Sequence, residues 1–112
     1  MECSVIIYCH DDYSRQVIHR RVDNTQDFYH DWLTYRAGFG DLNQNFWLGN
    51  DAIEALTNPS VSGKSWELRV DLEDWGSVKK YAVYSSFYLS APKFTLHVSG
   101  YSGTAGKQIQ YM

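Results

Sequence analysis

The chain has 112 residues and a formal net charge of −3, with 10 Lys and Arg against 13 Asp and Glu. That length holds one domain with little room for a second, and a composition that is 44% hydrophobic and 16% aromatic lies far outside the disordered range. No basic stripe is available to neutralise phosphates, which excludes nucleic acid as a partner, and no apolar run approaches the roughly 18 residues of a spanning helix, which excludes membrane insertion.

The first apolar stretch, Val5 to Tyr8, is much shorter than a signal-peptide core, so the sequence carries no export signal. Gln16 to Val22 is rich in β-branched residues and reads as a strand, its alternation blurred by His19, Arg20 and Arg21. Asp27 is placed to cap a helix in which Phe28, Trp32 and Tyr35 share one face, and Gly38 stands where a left-handed C-terminal residue is wanted. A second helix is expected from a cap at Asn50 or Asp51 through Thr57, with Ile53 and Leu56 inward, before Pro59, Ser60 and Gly63 break the backbone into a loop.

Beyond that loop the period changes to two. Leu68, Val70 and Leu72 alternate with Arg69, Asp71 and Glu73, giving a strand with one buried and one solvated face. Tyr81 to Leu89 and Phe94 to Val98 continue the pattern, with Val83, Phe87, Phe94, Leu96 and Val98 inward and Pro92 in the turn. Three strands joined by short loops make an antiparallel meander. From Gly100 onward the pattern gives way to spaced glycines and a polar Lys107 to Gln110.

Asp71, Glu73 and Asp74 beside Trp75 are the one cluster that resembles the paired carboxylates of a glycosidase. Asp71 and Glu73 sit two apart on the solvent face of a single strand, which makes them a charged outer surface. His10, His19, His30 and His97 follow no ligand spacing, and His97 reads as an outward strand residue. No serine occupies a GxSxG elbow, and Cys9 lacks catalytic surroundings. Gly63, Lys64 and Ser65 end like a phosphate loop, but Asn58 stands where its first glycine belongs, and Pro59 bars Asn58 from glycosylation. The sequence therefore assigns no catalytic, cofactor-binding or metal residue and reads as a non-enzyme. Trp32 and Trp47 are read as core; Trp75, at a strand end, is open between core and an exposed sugar platform.

Taken in order, RRVD (Arg20 to Asp23), DFYHDW (Asp27 to Trp32), YRAGFG (Tyr35 to Gly40), NFWLGND (Asn45 to Asp51), LRVDLEDW (Leu68 to Trp75) and GYSGTAG (Gly100 to Gly106) resemble the fibrinogen C-terminal domain family of fibrinogens, ficolins, angiopoietins and tenascins. The resemblance covers about residues 16–106 and marks Trp32, Gly38, Gly40, Trp47, Gly49, Gly100, Gly103 and Gly106 as structural signature positions. It implies an α+β fold, an antiparallel sheet with short helices. It also implies one incomplete domain over residues 1–112, truncated before the subdomain that carries the family's calcium loop, second disulfide and ligand pocket. None of those residues has a counterpart here, so calcium is expected in full-length relatives and no cofactor in this chain.

That truncation is the larger of two departures from the pattern. In the other, Tyr13, Ser14 and Arg15 replace the family's Gly-Gly-Trp, which puts the opening of the following strand in doubt. Cys9 resembles a family cysteine whose partner lies upstream, which leaves a Cys3 to Cys9 bridge across a tight turn, free thiols or an intermolecular bond.

The function implied is a non-enzymatic extracellular recognition or adhesion module, a fragment or short variant of a ficolin-like or tenascin-like protein that binds carbohydrate or protein on a cell or matrix surface. An oligomer would form through parts outside this chain. The alternatives are an angiopoietin-like receptor ligand or an incomplete gene model without independent function. A chain lacking the late segment that returns to the family's central sheet is expected to leave strand edges unpaired and apolar surface uncovered, and to be marginally stable or partner-dependent.

Overall fold

The computed structural model describes residues 2–105. Its strands are β1 (Glu2–Cys9), β2 (Arg15–Arg21), β3 (Phe39–Gly40), β4 (Phe46–Trp47), β5 (Trp66–Glu73), β6 (Lys79–Ser90) and β7 (Thr95–Gly103), and its helices are α1 (Trp32–Ala37), α2 (Asn50–Thr57) and α3 (Pro59–Ser62). The strands form one antiparallel sheet in the order β3-β4-β2-β1-β5-β6-β7. The α+β class and the antiparallel meander of β5, β6 and β7 follow the sequence reading.

One face of the sheet carries the core. Cys3, Ile7 and Cys9 from β1 and Trp66, Leu68 and Val70 from β5 point the same way, as period two requires. Ile53 of α2 packs onto them fully buried. Thr57 closes the same contact: its hydroxyl donates to the Ile53 carbonyl and accepts from the Leu89 amide, at 2.8 and 3.1 Å, so α2 is stitched to β6. The opposite face is mixed, with Arg69 gripping Asp71 through two bonds of 3.1 Å and lying over the Tyr81 ring.

The central strand β1 is absent from the sequence reading, because Val5 to Tyr8 shows an unbroken apolar run in which Ile6 and Tyr8 half-bury on the other face. Its presence corrects the cysteine geometry. Cys3 and Cys9 are both buried and free, and six strand residues set them about 20 Å apart, far beyond the roughly 7 Å a bridge allows. Burial, then the nearby Asp71 carboxylate, pushes the Cys3 thiol up to about 11.

Strand β2 opens at Arg15 despite the altered Tyr13-Ser14-Arg15, because Asp12 rebuilds the turn: its carboxylate accepts from the Ser14 amide and hydroxyl at 3.0 and 2.5 Å and from Lys64 at 2.8 Å. The Lys64 bond first, then Ser14, holds the Asp12 carboxyl well below the usual range. The blurred alternation of this strand has a cause. Val5 faces His19 and Ile6 faces Val17, so Ile18 is an extra residue at a bulge and turns into the core.

Helix α1 begins at Trp32, not after Asp27. Asp31 caps it by accepting from the Thr34 amide at 2.8 Å, while Asp27 instead accepts from the Tyr29 amide in a local turn. Gly38 ends it at φ 91° and ψ 158°, outside the left-handed helical region. Helix α2 is capped at Gly49 without a side-chain bond; Asn50 is its first residue, and its Oδ1 accepts from the Trp47 indole. The stretch read as a loop holds α3, with Pro59 at its first turn, Asn58 accepting from the Ser60 amide, and Gly63 in the left-handed conformation. Strands β3 and β4, two residues each, are too short to show a period.

The inward set of β6 and β7 also needs correction. Ala82, Tyr84, Phe87 and Leu89 are the buried residues of β6 and Val83 is half-buried; Phe94 and Val98 are half-buried, and Leu96 is 51% exposed. The facing shifts between Tyr84 and Phe87, where Ser85 lies against Gly100 at φ +73°, and a strict period of two extended back from Phe87 misassigns Val83. Strand β7 runs on through Gly100 to Gly103, and the turn follows there, with the Thr104 and Ala105 amides donating to the Tyr81 carbonyl.

Candidate functional site

Two regions divide the core face. The first, at the β3–β4 end, is sealed by the signature residues. Asn45 is its hub: the buried amide accepts from the Val22 and Asp23 amides at 2.7 and 3.3 Å and donates to Asp23 and Thr25 at 2.7 and 3.1 Å. Bonds from Thr25, and then from Asn45, lower the Asp23 carboxyl. Trp47 donates to the Tyr35 carbonyl and to Asn50 at 3.1 and 3.0 Å, fixing α1 against the start of α2. His19 meets the Phe28 and Trp47 rings edge to face and places Nδ1 3.0 Å from the Phe46 carbonyl; burial holds its imidazole below the ordinary value.

Gly40 shows why this end tolerates no side chain at its turns. It sits at φ +94°, and a Cβ there would lie 2.2 Å from the Asn45 carbonyl oxygen. Gly38 and Gly49 occupy the same crowded corner. Trp32 does not join it. Read as core, it is 53% exposed, with its ring 5.9 Å from that of Phe94 and the Arg36 guanidinium over both, because α1 starts late enough to turn it outward. Gly100 and Gly103 lie far along β7, and Gly106 lies outside the described residues.

The second region is open. Between the aromatic wall of Phe28, Tyr35 and Trp47 and the far strands runs a groove of about 790 Å³, floored by Val5, Ile18, Val70, Phe87, Leu89 and Val98 and rimmed by Arg21, Asn24, Leu96 and Trp75. Its size falls in the range of ligand clefts, roughly 300–1,000 Å³, and its lining is apolar with few polar groups at the mouth. Trp75, left open by the sequence, stands 87% exposed at the β5–β6 turn. Period-two reading placed Val70, Phe87 and Val98 inward but not Val5, Ile18 or Leu89, and it missed the groove, which depends on where α1 and α2 stop covering the sheet.

The remaining candidates resolve into structural roles. Asp71 pairs with Arg69, Asp74 caps its turn by accepting from the Gly76 and Val78 amides, and Lys64 reaches Asp12. His97 stacks on Tyr88 at 4.1 Å on the outer face. Among the described residues no three His, Cys, Asp or Glu side chains converge as a metal site, and no helix is long and apolar enough to cross a membrane.

An antiparallel sheet thus holds an apolar groove open beside an aromatic corner. The protein belongs to the family described as the C-terminal globular domain of fibrinogen beta and gamma chains, which it matches over residues 3–112, β1 included. It is 43% identical over 97 residues to human fibroleukin, covering 85% of this chain and 21% of that protein. Its backbone superposes on the fibrinogen-like globe domain of human ANGPTL6 with a TM-score of 0.76 at 33% identity, over 92% of this chain and 47% of that one. On lamprey fibrin D-dimer, solved with the peptide Gly-His-Arg-Pro-amide, the score is 0.71 at 35% identity, over 88% of this chain and 32% of that one.

Proposed function

We propose that residues 1–112 are the sheet-bearing part of one fibrinogen-like domain and act in a non-enzymatic extracellular recognition or adhesion module of ficolin-like or tenascin-like type. The observation that carries this reading is the open groove on the core face of a chain spanning about a fifth of fibroleukin and about half of the ANGPTL6 domain. A core face left open is a receiving surface, and further polypeptide laid across it would remove the exposed Leu96 and the half-buried Phe94 and Val98 from water. The calcium and ligand residues implied by the family have no counterparts among these residues.

The ligand would be a protein or carbohydrate on a cell or matrix surface. The peptide bound to lamprey fibrin favours protein. The likeness to the ANGPTL6 globe domain favours a second reading, a receptor ligand that makes contact through protein surface. Surface plasmon resonance of the immobilised protein against acetylated sugars and against receptor ectodomains separates the two. Hydrolysis of a chromogenic glycoside, abolished by Glu73→Gln, would overturn both.

A further inference from the structure

The two edges of the sheet are built differently. One ends at β3, only two residues long, where Gly40 and the Asn45 hub fold the backbone away. The other ends at β7, nine residues long, with no strand on its outer side among the described residues. Edges of this length are normally guarded by Lys, Pro or inward charge, because their free amides and carbonyls accept any passing strand. The β7 sequence Thr-Leu-His-Val-Ser-Gly-Tyr-Ser-Gly contains no Asp, Glu, Lys, Arg or Pro.

Apolar surface borders that edge. Leu96 is half exposed, and Phe94 and Val98 line the groove from the same side. Trp32 stands beside Phe94, also half exposed. Gly100 at φ +73° interrupts regular extension, which leaves Thr95 to Ser99, about 17 Å of strand, as the pairing segment.

We propose that β7 is a dimerisation edge that pairs antiparallel with the β7 of a second copy of this protein. A two-fold contact sets the same patch against itself, so the patch must be self-complementary. An uncharged strand meets that condition, whereas each fixed charge on it would face or neighbour its own copy. A two-fold axis normal to the sheet keeps both groove faces on one side. Leu96 and Val98 of the two copies then form one continuous apolar row, and the two grooves become a single trough across the joined sheet. Strand pairing alone falls short of the roughly 1,200 Å² of a stable interface, and the exposed Trp32 and Leu96 beside the edge extend the contact.

Sedimentation velocity of the 112-residue protein across a concentration series is the test, with circular dichroism confirming the fold. A reversible dimer is expected, weakened at least roughly tenfold by Leu96→Lys, which places a charge twice in the two-fold contact. His97→Lys, on the other face of the same strand, is expected to act in the same direction. A monomer at every concentration overturns the proposal. Slow exchange of the Thr95 to Ser99 amides in such a monomer would give the edge to the protein's own Lys107 to Met112. Association unchanged by both substitutions also overturns it, because the contact would then lie elsewhere.

Discussion

The β3–β4 end and the β6–β7 end of this sheet solve the same problem in opposite ways. At the first, Asn45 and Trp47 bond backbone groups of neighbouring segments, and tightly placed glycines leave no room for side chains. At the second, the exposed Leu96, the half-buried Phe94 and Val98 and a long edge strand leave apolar surface facing solvent. The signature motifs that identify the family build the closed end for the most part. The exposed apolar surface and the free edge lie at the open end, where fewer of those motifs fall.

The contrast can be broken first at Gly40. Gly40→Ala drives a Cβ into the Asn45 carbonyl at a positive φ, and a stability loss of about 3 kcal/mol is expected in the guanidinium midpoint. Asn45→Ala strands the Val22 and Asp23 amides, with an expected loss of about 2 kcal/mol by the same measurement.

A pH series sharpens the comparison further. Burial holds folded His19 below its ordinary value, so the unfolded state binds more protons, and stability present above about pH 6.5 should be lost as pH falls through it. Thermal midpoints near neutrality and near pH 5.5 should differ, and His19→Gln should reduce the difference. The smallest effect belongs to the open end. Trp75→Ala, at a side chain 87% exposed, should shift stability by less than about 0.5 kcal/mol while reducing the fluorescence of an apolar dye held in the groove.

The meander was legible because β5 alternates cleanly, and α2 because Ile53 and Leu56 keep helical spacing ahead of Pro59. Strand β1 was hidden because both of its faces carry apolar residues, and the late start of α1 because Asp27 and Asp31 are equally good caps in sequence. Asn45 carries no local signal at all. Its partners lie 20 or more residues upstream, so only folding brings the motifs RRVD and NFWLGND into one hydrogen-bonded corner. The groove was illegible for the same reason, being the space that α1 and α2 leave uncovered.

The division between a closed and an open end is tested most directly by native-state hydrogen exchange at low and high protein concentration. The Val22, Asp23 and Leu48 amides of the closed end should exchange slowly and independently of concentration, whereas the Thr95 to Ser99 amides of β7 should exchange faster and gain protection as concentration rises. Concentration-independent protection of β7, with the Asn45 corner opening first, would contradict the account.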